Sequence, residues 1–177
     1  MISENSICGK ALDFGCGDGY FHAELSIMQS FSEITPVDVV VRKNTLVEPE
    51  IYDGKTLPYD DGQFDLVYAI DVIHHSPQPI ESIREMCRCS GRWILIKDHV
   101  YDAALGRLVL YLMDEIGNRR FKIESPGMYQ RNWCWDDTLI SSGFALKKRI
   151  HPAKPHIGLL GLLTNNYQYI DLWERRD

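Results

Sequence analysis

Between residues 10 and 100, short runs rich in β-branched and aromatic residues alternate with stretches of helical periodicity, and this alternation constrains the fold more than any other feature of the chain. A strand that rejoins its neighbour through a helix lies parallel to it, so the pattern predicts an α/β architecture on a parallel sheet. Residues 10–14 read as a first strand that runs into a glycine-rich turn, and Phe21, Leu25 and Met28 then recur at helical spacing. Residues 36–41 read as a second strand, while residues 64–70 and 93–96 are apolar enough for strands buried on both faces. Ser76-Pro77 predicts a helix start, with Ile80, Ile83 and Cys87 facing inward.

Beyond residue 100 the alternation changes. Leu105, Leu108, Val109, Leu112, Met113 and Ile116 mark one face of a helix over residues 102–118, with Asp102 placed to cap its start and Gly117-Asn118 to end it. A short helix is expected over residues 135–142, with Asp136 and Asp137 at its positive end, followed by strands over residues 144–150 and 167–173. The apolar segment 157–163 between those strands is too irregular to assign.

Composition removes several classes of function. The 177 residues suit one domain, and 45% hydrophobic with 25% charged content is that of an ordinary globular chain. Nineteen basic residues against 25 acidic ones give a formal charge of −6, which argues against nucleic acid as a partner, because neutralising phosphates needs clustered cations. No apolar run approaches the roughly 20 residues of a membrane span, and no basic-then-apolar leader opens the chain, so a cytoplasmic protein is expected. The cysteines (Cys8, Cys16, Cys87, Cys89 and Cys134) are odd in number and lack C-x-x-C spacing, which predicts reduced thiols and no metal site.

The chemistry concentrates in Asp13-Phe-Gly15-Cys16-Gly17-Asp-Gly19, between the first strand and the first helix. Glycines there allow a tight turn and close approach of a ligand to the main chain. The spacing is G-x-G-x-G; a dinucleotide fingerprint would need glycine where Tyr20 stands. An acid in the second strand, Asp38, and an acidic turn, Asp53-Gly54, follow in order.

With these features the chain resembles the class I S-adenosylmethionine-dependent methyltransferases, in particular the small type 11 group, over most of its length. The resemblance rests on residues 11–19, Val37-Asp38-Val39, residues 53–58, Phe64-Asp-Leu-Val67 with Asp71-Val-Ile-His74-His75, and Ser142-Gly-Phe144. It implies a three-layer Rossmann-like methyltransferase fold, a mostly parallel seven-stranded sheet with a C-terminal antiparallel strand. Residues 10–100 would be the cofactor-binding half of a single domain spanning 1–177, and residues 101–177 would supply the acceptor-side helices and last two strands. Two departures stand out. The family's N-terminal lid helices are absent, and residues 42–50, interrupted by Pro49, are too short for the usual helix between the second and third strands. A lid would then come from the substrate, a partner or another copy.

The same resemblance implies S-adenosyl-L-methionine as cofactor, with S-adenosyl-L-homocysteine as product. Asp13 and the turn of Gly15, Cys16, Gly17 and Gly19 would hold its methionine end, and Asp38 would accept hydrogen bonds from the ribose hydroxyls. Asp53 and Gly54 would face the adenine, and Ile70 and Asp71 the amino-acid moiety. Tyr20 would stack near the sulfonium or pack at the helix start. Other readings stay open: Asp38 as a solvated acid, Asp53 as a turn former, Asp71 as a helix cap.

On the acceptor side, His74, His75 and Lys97-Asp98-His99 are the candidate proton acceptors. His99, His75 and Asp98 are taken as the catalytic set, since a carboxylate beside an imidazole raises its pKa. His75 reads equally as a helix-start residue with a satisfied hydrogen bond. Phe121, Tyr129, Trp133 and Trp135 either line an apolar acceptor pocket or cap the core, in a segment made locally basic by Arg119, Arg120, Lys122 and Arg131. The expected function is in-line methyl transfer to a small-molecule acceptor. The rivals are a non-catalytic S-adenosylmethionine-binding subunit of a larger assembly and an RNA or protein methyltransferase.

Overall fold

The computed structural model describes residues 1–119 and 127–176. Its strands are β1 (Gly9–Phe14), β2 (Phe31–Asp38), β3 (Glu50–Ile51), β4 (Phe64–Ile70), β5 (Ser90–Tyr101), β6 (Gln130–Arg131), β7 (Phe144–Ile150) and β8 (Gln168–Arg175). The helices are α1 (Tyr20–Ile27), α2 (Pro79–Cys89), α3 (Ala104–Arg119), α4 (Asp136–Ser141) and α5 (Gly158–Thr164). Seven strands form one sheet in the order β3-β2-β1-β4-β5-β8-β7, and the two-residue β6 adds to β5 off that path. Strands β1 to β5 pair in parallel, and β8 runs antiparallel to both β5 and β7. Chain order reverses between β1 and β4, and open α/β sheets bind ligands beyond the carboxyl ends of the strands at such a switch point.

Alternate residues of the strands face opposite sides of the sheet. On one side Leu12, Phe14, Val67, Ala69, Ile94 and Ile96 pack with Ile83, Met86 and Cys87 of α2 and with Trp135 and Leu139 at α4. On the other, Ala11, Leu66, Tyr68, Trp93, Leu95 and Leu172 are covered by Ile7, with Met1, Ile2 and Leu25 of α1 packed against them. This second layer is thin. The expected amphipathic helix forms as α1 but buries none of its residues, and Phe21 and Met28 are exposed. Residues 39–49 hold no helix that could flank it.

Several boundaries differ from expectation for identifiable reasons. β2 ends at Asp38 because its pairing with β3 is confined to Val37 and Asp38, which leaves Val39, Val40 and Val41 exposed beyond the sheet. It starts earlier, at Phe31, opposite Gly9 of β1. α2 starts at Pro79 and not at Ser76-Pro77, since a residue before proline is held out of the helical region and Gln78 sits at φ −134, ψ 71. β5 continues to Tyr101 because β8 pairs with it through His99 and β6 at Val100 and Tyr101.

Helix α3 forms where the periodicity placed it but starts at Ala104, with the Ala103 N–H donating to Asp102 Oδ1 at 2.7 Å, and Gly117-Asn118 does not end it, since the helix runs on to Arg119. Its apolar stripe is not turned inward, however: Leu110 is buried, while Leu105, Leu108 and Leu112 face solvent. The unassigned apolar segment forms α5, likewise with Leu159 and Leu162 exposed. All five cysteines are free thiols. Among the described residues no helix is long and apolar enough to cross a membrane.

Candidate active site

The glycine turn is shaped by the end of β2. The Gly15 and Cys16 N–H groups donate to the Val37 carbonyl at 2.8 and 3.1 Å. The Gly17 N–H donates to Asp38 Oδ2 at 2.9 Å, while Asp38 Oδ1 accepts the Val39 N–H at 2.7 Å. Asp38 is buried, so it is an anchor for the turn and not a solvated strand-end acid. Gly17 and Gly19 adopt φ of +63° and +81°, the left-handed region that disfavours any residue with a Cβ.

The outer face of this turn meets the chain's own 39–49 loop. A Cβ on Gly17 would lie 3.2 Å from the Arg42 guanidinium carbon, and one on Gly19 would meet Val47 Cγ1 at 2.5 Å. The Leu46 N–H donates to the Asp18 carbonyl at 2.7 Å and holds the loop there. Val72, just after β4, packs in the same way on Gly15.

Asp13 is buried, and its Oδ2 has no hydrogen-bond partner. Burial pushes its carboxyl up to about 7; the neighbouring Tyr68 hydroxyl opposes the rise and the Asp38 charge adds to it. Burial also drives the Cys16 thiol up to about 12, aided by the charges of Asp13 and Asp38, which removes it as a nucleophile at neutral pH.

The remaining cofactor-side residues are more dispersed. Asp53 is exposed, and its Oδ1 accepts the N–H groups of Lys55 and Thr56 at 2.8 and 3.0 Å, bonds that hold its carboxyl below the usual range and make it a turn former. Gly54 lies beside Val39, with 3.4 Å between its would-be Cβ and Val39 Cγ1. Tyr20 is exposed and packs edge-on against Phe21. Ile70 is half-buried at the end of β4. Asp71 caps no helix: at φ +54° it binds Lys97 Nζ through both oxygens, at 2.6 and 2.5 Å.

A second constellation lies at the carboxyl ends of β4 and β5. Asp98, fully buried, accepts backbone N–H groups from Ile73, His74 and His99 at 3.1, 3.4 and 2.7 Å, and the His74 Nδ1–H at 2.6 Å. Burial alone would raise its carboxyl, but the His74 charge and these bonds hold it well below the ordinary range. His99 Nδ1 lies 3.3 Å from Asp98 Oδ1 and 3.7 Å from Asp71 Oδ1.

The His74 ring stacks on Tyr129 and sits between Asp98 and Asp114, its Nε2 3.4 Å from Asp114 Oδ2. Burial lowers its pKa, yet the two carboxylates outweigh this and raise it to about 10. His75 moves the other way, to about 4, through burial and the His74 charge. Asp114 and Tyr129, whose hydroxyl donates to Asp114 Oδ2 at 2.6 Å, join the cluster without any motif to announce them. Spacing offered no signal for them: Asp114 lies outside the apolar stripe expected of this helix and next to a second acid, Glu115.

The expected ring of aromatics around one opening is not formed by the described residues. Trp135 lies in the core, Trp133 stacks under the Arg149 guanidinium at 3.7 Å, and Tyr129 is spent on His74. Phe121, Arg120 and Lys122, with the side chain of Arg119, lie outside the described residues, and Arg131 is exposed. A cleft of about 350 Å³ between α3 and Tyr129 is lined by Ala104, Arg107, Leu108, Tyr111 and Gly127. A larger one, about 490 Å³, lies at the amino ends of β4 and β5 beside Gly62 and Gly91, away from both constellations.

Comparison with known proteins bears on the same region. Residues 12–92 match the model of a methyltransferase domain. Ajmaline N-methyltransferase of Rauvolfia serpentina is 33% identical over 104 residues, covering 51% of this chain and 36% of its own length. Malonyl-[acyl-carrier protein] O-methyltransferase of Legionella pneumophila is 33% identical over 92 residues, covering 45% and 31%. The chain thus spans about a third of the length of these curated relatives. Among solved structures, an S-adenosylmethionine-dependent methyltransferase from Mesorhizobium loti shares the fold with a TM-score of 0.68 at 14% identity, over 96% of this chain and 93% of that one.

Proposed function

We propose that this chain is a class I S-adenosylmethionine-dependent methyltransferase, a reading supported by the match of residues 12–92 to a methyltransferase domain, and that it transfers a methyl group from S-adenosylmethionine to a small-molecule acceptor. The observation that carries the reading is the turn at Gly15–Gly19, fastened to buried Asp38 above an unpartnered Asp13 oxygen, at the sheet's switch point.

The residues present fit that cofactor. Asp13 Oδ2 makes no hydrogen bond within the fold, and a cationic amino group would supply a donor to it. Asp38 retains acceptor capacity beyond its two short backbone bonds, suited to neighbouring hydroxyls. When bound, S-adenosylmethionine supplies an activated methyl group for in-line displacement, so the protein's share of catalysis is largely positioning. Cofactor entry requires Arg42 and Val47 to withdraw from Gly17 and Gly19. Asp53 and Gly54 flank the adenine side from the loop after β3, and Tyr20, Ile70 and Asp71 complete the rim.

Residues 101–177 form the acceptor half. His99 is the proton acceptor of choice, with one ring nitrogen directed at Asp98 and the ring beside Asp71; Asp98 orients it. His75 is the secondary candidate. The two curated relatives, named for N- and O-methylation, support a nitrogen or oxygen acceptor. Five free thiols support a reducing, cytoplasmic location.

Calorimetric titration with S-adenosylhomocysteine, followed by transfer from methyl-labelled S-adenosylmethionine to a panel of amines, carboxylates and phenols, tests the proposal. Binding with transfer is expected; no binding by the isolated chain would sink it. The loop packed on the turn favours one second reading, a cofactor-binding subunit that needs a partner. Affinity that appears only in a stoichiometric complex would select that reading.

A further inference from the structure

We infer that His74, His75 and Asp114 form a binding site for one divalent transition-metal ion of the zinc class. Among the described residues, the side-chain atoms buried without a hydrogen-bond partner include His74 Nε2 and His75 Nδ1, on adjacent residues of the turn after β4. One ring nitrogen of each histidine and a carboxylate oxygen of Asp114 lie within 4.8 Å of one another. A buried polar atom left unpaired is costly, and two in succession beside a carboxylate are better explained by a shared ligand than by chance. The 3.4 Å between His74 Nε2 and Asp114 Oδ2 is within ion-pair range but does not form a hydrogen bond.

The surroundings are those of a ligated histidine. Asp98 accepts the Nδ1–H of His74 at 2.6 Å and fixes the ring, the arrangement by which a second carboxylate orients a metal-bound imidazole, and an ion would take the place of the Nε2 proton that faces Asp114. Tyr129 supports Asp114 in the same way, its hydroxyl donating to Oδ2 at 2.6 Å. Carboxylates flank the position on two sides, with Asp98 and Asp114 both lying against the His74 ring. Two imidazoles and one carboxylate suit zinc, iron or cobalt and not the oxygen-preferring magnesium or calcium, and three protein ligands leave a fourth position for solvent or substrate.

The neighbouring group of His74, Asp98 and His99 is also close enough to chelate, but Asp98 spends its oxygens on three backbone N–H groups and the His74 ring, and an ion there would have to displace them. The inference does not rest on methyl transfer, because it concerns an ion bound by the protein alone, though an ion on His75 would leave His99 as the proton acceptor.

The test strips the full chain with a chelator and titrates it with Zn²⁺ by calorimetry and with Co²⁺ by visible absorption. One equivalent is expected, with a rise in melting temperature that the chelator reverses. Asp114→Asn and His75→Ala should lose stoichiometric uptake while keeping the circular dichroism of the stripped protein. Tyr129→Phe should weaken affinity by about 10–100-fold, and His99→Ala should leave one equivalent bound. Unchanged uptake by Asp114→Asn, uptake abolished by His99→Ala but not by His75→Ala, or no uptake by the stripped chain would each overturn the assignment.

Discussion

The two ends of the crevice are built by opposite means. At β1 and β2 the site is made of backbone: N–H groups of a glycine turn drawn onto Val37 and Asp38, with a thin second layer of α1 and an irregular 39–49 loop outside. At β4 and β5 it is made of buried side chains: Asp98 alone holds three backbone N–H groups and the His74 ring. A turn held by a few exchangeable bonds under an exposed loop can be reshaped by a ligand, whereas a desolvated ion network is rigid because any vacated partner leaves a buried charge. The first region is suited to admitting a nucleoside, the second to holding geometry constant while an acceptor reacts.

The sharpest way to break this contrast is at the rigid end. Asp98→Ala removes the carboxylate that the 73–75 turn and His74 share, and should destabilise the protein by about 3–5 kcal/mol, as expected for one partner of a buried ion pair. A urea midpoint unchanged from wild type would show that the network does not carry the β4–β5 end.

The next effect belongs to the other end and depends on pH. Burial pushes the Asp13 carboxyl up to about 7, well above the ordinary carboxylate range, so between those limits the native state holds a proton that the unfolded chain has released. Stability therefore declines as pH rises from about 4 to about 7 and levels off above that. With one pKa unit worth about 1.4 kcal/mol, Asp13→Asn should remove a slope totalling on the order of 4 kcal/mol. Parallel unfolding curves for wild type and variant across pH 4–8 check this; equal slopes would mean that Asp13 is not desolvated as drawn.

Asp38→Ala is expected to weaken S-adenosylhomocysteine binding by about 1.5–3 kcal/mol, the scale of hydrogen bonds to a charged group. Because Asp38 also fastens Gly17, some loss of stability should accompany it. Unaltered calorimetric affinity would discard its proposed role at the ribose.

How far these regions could be read from residues alone follows the same division. Local chemistry was legible: the alternation located β1, β4, β5 and α3, and the G-x-G-x-G turn and Asp38 fell where a parallel sheet places a ligand. Tertiary consequences were not. Periodicity showed that α1 and α3 have apolar faces but not that Phe21, Met28, Leu105 and Leu108 would stay exposed. The Asp98–His74–Asp114–Tyr129 arrangement joins positions far apart in sequence through β5, α3 and the segment before β6, so spacing held no trace of it. Nor could composition say that Arg42 would fold back onto Gly17, a contact created by the missing helix between β2 and β3.

That contact yields the smallest and most discriminating expectation. Arg42 lies over the glycine turn, and its charge reaches both Cys16 and His75, which places it across the opening between the two ends. If the loop must leave before a cofactor enters, apparent affinity is reduced by the fraction of molecules in which it has left. Arg42→Ala removes the guanidinium from the turn without touching Asp13, Asp38 or Gly17, and should tighten S-adenosylhomocysteine binding by up to about 1 kcal/mol, the upper range of a half-exposed contact. Folding stability should not fall by more than about 1 kcal/mol, since Arg42 is part-buried but its Nε makes no hydrogen bond to lose. A weaker affinity in this variant would assign Arg42 to the cofactor's own contacts, and the backbone-built end of the crevice would then be assembled by its ligand and not merely uncovered for it.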